Sequence, residues 1–150
     1  MNSSQRLKPI KKLADNKEKI AAQSLTKSVE YRNNQQDRLT QLVNYRTEYV
    51  GSMSVKTQQG ISGDQLQQYH QFLLKLDSVI EQQQKVVQQS HINLSQSQNK
   101  WQSQNSRANA IGKVINKLKN KETKAADKKE SAQVDELSTQ AFLRRKNTQQ

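Results

Sequence analysis

Cysteine is absent from this chain of 150 residues, which excludes a disulfide framework and any thiolate metal site. Proline occurs once and glycine four times, so collagen-like and loop-rich folds are excluded, and the long Gln-, Lys- and Ala-containing runs default to helix. Apolar residues are scarce as well. At 31% hydrophobic residues and a mean hydropathy of −1.08, the chain cannot wrap a sizeable globular core. No run approaches the ~18 apolar residues a membrane span needs, and the opening MNSSQRLKPIKKLADNKEKI lacks a continuous apolar segment. A soluble, unexported protein with no transmembrane segment is expected.

Catalytic side chains are missing in the same way. The two histidines, His70 and His91, stand 21 residues apart on one expected helix, about 30 Å if it is straight. No Asp/Glu/His cluster has metal-ligand spacing, and Asp77 with Glu81 reads as a solvated pair on a helix face. The Gly60-Ile61-Ser62-Gly63 stretch lacks the Lys-Ser/Thr that a phosphate-cradling loop requires. No enzyme activity, catalytic residue, metal or cofactor is expected.

What the chain does have is positive charge and a repeat. The formal net charge is +12, placed mainly at the termini: residues 1–30 carry 7 basic and 3 acidic side chains, and residues 111–150 carry 10 and 5. From Leu66, steps of three and four land on Leu66, Tyr69, Leu73, Leu76, Ile80, Gln83, Val87, Ser90, Leu94, Ser97, Trp101, Gln104, Ala108, Ile111, Ile115 and Leu118. This is a heptad seam. One of its columns is wholly apolar, and the other turns polar at Gln83, Ser90, Ser97 and Gln104, which predicts a thinly packed centre.

Residues 10–53 carry a weaker stripe through Ile10, Leu13, Ile20, Leu25, Val29, Leu39, Leu42, Val43, Tyr49, Val50 and Met53, with Arg32 and Arg46 on or beside it. Between the two segments, Gly51 suits a helix end, and Ser62 with Gln65 forms an S-x-x-Q capping box that starts the next helix. The expected fold is all-α: a two-helix antiparallel coiled-coil hairpin with a longer second helix, in a single elongated domain. The expected bounds are a helix over about 8–51, a loop over about 52–62, a helix over about 63–143 and a disordered tail over about 144–150. A turn centred near residue 57 sets position i opposite about 114 − i, leaving everything after about residue 110 as an overhang.

Two surfaces follow. Near the bend, Leu42, Tyr45 and Tyr49 on the first helix and Phe72, Leu76 and Val79 on the second exceed what one seam can bury; they either form a patch suited to a partner, with Tyr45 and Phe72 foremost, or seal the turn end of the hairpin. Past residue 110, Lys113, Lys117, Lys119, Lys121, Lys124, Lys128 and Lys129 surround a helix that suits an acidic cavity, an anionic membrane surface or nucleic acid. Nucleic acid is disfavoured because no aromatic residues interleave with the lysines.

The stretches LVNYRTEYVGSM, GISGDQLQQYHQFLLKLDSVIEQ and VDELSTQAFLRRK resemble the FliJ family of flagellar type III export proteins. The spacing of Tyr45, Tyr49, the Gly60-Ile61 pair, Tyr69 and Phe72 is the specific part. The resemblance implies a non-enzymatic stalk, cytoplasmic at the inner membrane's cytoplasmic face. Its terminal end enters the hexameric export ATPase ring, here through Lys113, Lys117, Lys121, Lys124 and Lys128. Its bend contacts the cytoplasmic domain of the export-gate membrane protein, here through Leu42, Tyr45, Tyr49, Phe72 and Leu76. Export chaperones are implied as further partners, with no nucleic acid. Arg38, Val79 and Gln83 depart from the family pattern beside that patch. The alternatives are a basic helical nucleic-acid binder and a general structural coiled coil.

Overall fold

A computed structural model describes residues 2–149. Among them there are two helices, α1 (Ser3–Gln59) and α2 (Gly63–Thr148), which pack against each other, with the second the longer. Their internal packing gathers into two units: Met1–Glu18 with Gln104–Gln150 (unit 1), and Lys19–Ser103 (unit 2).

The break between the helices is shorter than the sequence suggests. Residues 52–59, expected in a loop, continue α1, and only Gly60, Ile61 and Ser62 lie outside helix. An interior glycine costs a helix only ~1 kcal/mol against alanine, and Met53, half-buried one turn and a half before the end, keeps the last turns against α2. Gly60 ends the helix instead. Its φ of 93° is the one positive value among the described residues, and its N–H closes on the Thr57 carbonyl at 3.2 Å. Ser62 then opens α2 as the S-x-x-Q spacing predicts: its hydroxyl accepts from Gln65 N–H at 3.2 Å, and its own N–H donates to Gln65 Oε1 at 3.4 Å.

Gly51 and Gly60 therefore respond oppositely to alanine. Gly51→Ala, with open space around the added Cβ, should raise stability by up to ~1 kcal/mol. Gly60→Ala should lower it by about 1–2 kcal/mol, because alanine is strained at that φ. Thermal unfolding followed by circular dichroism reads both signs.

The other boundaries also move outward. Helix α1 begins at Ser3 rather than near residue 8, with Pro9 inside it. It is anchored across the hairpin: Ser4 Oγ donates to Glu122 Oε2 at 2.6 Å and Ser4 N–H to Glu122 Oε1 at 3.1 Å. The first turn of α1 holds no acidic residue of its own, so Glu122 supplies the negative charge that a helix N-terminus favours. These two bonds from Ser4 hold the Glu122 carboxyl below its ordinary range. At the other terminus α2 runs to Thr148, so residues 144–148, expected in a disordered tail, are helical, while residue 150 lies outside the described residues.

Residue numbers of the cross-helix pairs Ser4–Glu122, Lys11–Ala108, Ser28–Ser97, Gln35–Gln83 and Arg46–Asp77 add to between 118 and 126 rather than 114. The shift follows from the later bend. Pairing thus reaches Glu122, and the stretch without a partner helix starts there instead of near residue 110; residues 123–149 are all exposed.

On α2 the observed seam follows the sequence pattern from Tyr69 onward, with Leu76, Ile80, Val87, Ser90, Leu94, Ala108 and Ile115 buried, while Leu66, expected as its first position, is exposed. On α1 it does so only in part. The seam runs through Leu7, Ala14, Ala21, Ser28, Gln35, Leu42 and Tyr49 in one heptad column, and Ser4, Lys11, Glu18, Leu25, Arg32, Leu39, Arg46 and Met53 in the other, with Ala22, Val29 and Val50 half-buried beside it. Ile10, Leu13, Ile20 and Val43, expected in the stripe, are exposed.

Of the four polar seam positions, Gln83, Ser90 and Ser97 are hydrogen-bonded, while the buried Gln104 Oε1 has no partner. Within unit 2, Gln83 Nε2 donates to the Gln35 carbonyl at 2.9 Å and to Gln35 Oε1 at 3.0 Å; Ser28 and Ser97 share a 2.8 Å hydrogen bond; the buried Ser90 hydroxyl donates to Val87 O at 2.6 Å. Gln83→Leu leaves the buried Gln35 Oε1 without its donor and should lower stability by about 1–3 kcal/mol, whereas Gln35→Leu leaves Gln83 Nε2 its bond to the residue 35 carbonyl and should cost less. Replacing Gln35 and Gln83 together with leucine should be neutral or stabilising, and urea unfolding of the three variants distinguishes the cases.

Candidate functional site

The bend of unit 2 gathers four rings. Tyr49, a half-buried seam residue, sits at their centre, with ring centroids 4.6 Å from Phe72, 5.4 Å from Tyr69 and 6.3 Å from Tyr45. Tyr45 and Phe72 also meet edge to face at 6.3 Å, a favoured aromatic geometry. The spacing explains the cluster: Tyr45 and Tyr49 lie four apart on α1 and Tyr69 and Phe72 three apart on α2, so each pair shares a face. With Met53 and Ile61, the rings line a shallow groove open to solvent.

The five expected contact residues divide by depth. Tyr45 and Phe72 remain 48% and 37% exposed, Leu42 and Tyr49 are half-buried, and Leu76 is buried. Leu76 therefore supports the patch from the core. Tyr69, outside the expected patch, belongs to the cluster through its stack on Tyr49, as its place on the α2 seam would have allowed one to infer. Asp77, expected as half of a solvated Asp77–Glu81 pair, instead ties α2 to α1: Arg46 Nε donates to Asp77 Oδ1 at 2.5 Å. This hydrogen bond, the largest influence, and the Arg46 charge hold the Asp77 carboxyl below its ordinary range, and Arg46 is held above its own.

The lysines lie in unit 1. Lys113, Lys117, Lys121, Lys124 and Lys128 are all exposed and recur at steps of four, four, three and four, so they form one stripe about 80° wide. The stripe points away from the local seam of Ile111, Ile115 and Leu118, whereas Lys119 and Lys129 stand off it. The sequence reading of lysines encircling the helix is thus resolved into a directed cationic face. Nearer the seam, Lys11 crosses Gly112, where an added Cβ would sit 3.4 Å from Lys11 Cε, and its Nζ donates to the Ala108 carbonyl at 3.1 Å and pairs with Asp15 at 2.7 Å.

Among the described residues, no group of three His, Cys, Asp or Glu side chains is placed to hold a metal ion, and no helix is long and apolar enough to cross a membrane. The molecule belongs to the class of two-helix antiparallel coiled coils, and its candidate sites are surfaces, one aromatic and one cationic. The family described as Flagellar FliJ protein matches residues 3–147, so the chain belongs to the FliJ family and is a component of flagellar protein export. No curated protein and no solved structure gave a match.

Proposed function

We propose that the chain is a non-enzymatic, stalk-like partner of the hexameric flagellar export ATPase. It links that ring to the cytoplasmic domain of the export-gate membrane protein, escorts export chaperones, and works in the cytoplasm at the inner membrane. The supporting observation is the exposure of Tyr45 and Phe72 on a fixed aromatic cluster, in a chain whose match to a flagellar export family covers residues 3–147. Rings held in place by Tyr49 lose little freedom on binding, which suits them to anchor the gate contact.

The lysine stripe carries the ring contact. An acidic bore attracts five ammonium groups on one helix face, and that attraction weakens with salt, whereas the aromatic contact is less salt-sensitive. Two helices have no six-fold symmetry, so inside a hexamer they touch some subunits differently from others and bias their nucleotide states. Adding purified chain to the export ATPase should raise its hydrolysis rate while the chain alone hydrolyses nothing; no stimulation at any ratio contradicts the reading.

A further inference from the structure

Folding leaves two apolar surfaces of unit 1 uncovered. The first is a groove between the helices, where Ile10 and Leu13 of α1, 47% and 55% exposed, lie beside Ile111 of α2, with Lys17 and Arg107 at one end. The exposure follows from phase, because Ile10 and Leu13 each precede a seam position by one residue. The second is α2 beyond Glu122. There Glu130, Val134, Leu137 and Ala141 recur at steps of four, three and four, all exposed.

The two surfaces share a period and complement each other in order. Along α2, Arg107, Ile111, Val114 and Leu118 have the same steps, so each is answered 23 residues later: arginine by Glu130, then aliphatic by aliphatic. On the α1 side of the groove, Lys17 lies at the Arg107 end and Ile10 and Leu13 at the Ile111 end. A helix laid in the groove parallel to α2 thus brings Glu130 to the two cations and sets Val134 and Leu137 on the aliphatic floor. One chain cannot make this contact with itself, because both stretches belong to the same continuous helix.

We propose that the occupant of this groove is residues 127–141 of a second copy of the chain. The contact turns a two-helix coiled coil into a three-helix one over about three turns, burying Ile10 and Leu13 as core. Because the pairing is staggered and parallel, it is heterologous: one copy of a pair keeps a free helix and the other a free groove, and association is open-ended. A contact of three turns is small for a stable interface, so it forms only at high concentration, and salt weakens it.

Sedimentation velocity on the full chain, from micromolar to several hundred micromolar, tests this. The weight-average sedimentation coefficient should climb with concentration without levelling at a dimer. Leu13→Asp and Leu137→Asp, both at exposed positions, should each return the chain to monomer with helicity intact. Arg107→Glu and Glu130→Arg should each lose association about 10-fold or more, and the double variant should recover it through the reversed pair. A monomer at every concentration overturns the proposal. So does association that survives both aspartate variants but is lost in Phe72→Asp, which would place the contact at the bend.

Discussion

Replacing Tyr45 and Phe72 together with alanine should weaken binding to the cytoplasmic domain of the export gate by about 100-fold or more, the scale of removing central aromatic anchors. Helical content should not change, because both rings lie outside the buried seam, 48% and 37% exposed, and the seam beneath them, with Leu76 and Ile80 buried, stays complete. Tyr49→Ala is the contrasting variant. It removes the ring against which Tyr45, Tyr69 and Phe72 pack, so it should lower both binding and thermal stability. Calorimetric titration and circular dichroism on the same samples separate the two effects. A loss of helicity in the Tyr45/Phe72 variant would mean that these rings seal the bend and are not its docking surface.

Reversal of the lysine stripe should have an effect of similar size on the other partner. Changing Lys113, Lys117, Lys121, Lys124 and Lys128 to glutamate should abolish stimulation of the export ATPase, since a steering field worth 10–1,000-fold in association rate becomes a repulsive one. The side chains are exposed and point away from α1, so the hairpin is not disturbed. Lys119→Glu with Lys129→Glu provides the control: charges off the stripe should reduce stimulation much less. Steady-state hydrolysis measured across a salt series checks both, and equal loss from the two sets would show that net charge, not the directed face, governs the contact.

The α2 seam was legible residue by residue because large side chains mark it: Leu73, Ile80, Val87, Leu94 and Trp101 recur every seven residues, and a period carried by bulky groups has one phase. Helix α1 hides its phase. The middle of one of its seam columns is built from Ala14, Ala21, Ser28 and Gln35, whose burial involves little apolar area, while the more conspicuous Ile10, Leu13 and Ile20 lie on the flank. Hydrophobicity therefore points to the wrong face over residues 10–20, and to the right one over residues 25–53 except at Val43. The bend was misplaced for a related reason: Gly51 and Gly60 look alike in sequence, and only the positive φ at Gly60 shows which one ends the helix. That single difference shifted the register, and with it the start of the unpartnered stretch. At the candidate sites, residue types were legible but depth was not. The patch reading set Leu76 at the surface although the heptad reading already placed it in the seam, where it is buried.

The central claim is that two surfaces of one chain take two partners independently. It is tested most directly by measuring gate-domain affinity and ATPase stimulation for the full-length chain, the Tyr45/Phe72 alanine variant and the five-lysine reversal variant. The account predicts that the alanine variant loses the gate domain and still stimulates the ATPase, and that the lysine variant does the reverse. Loss of both activities in either variant, or of neither, contradicts it.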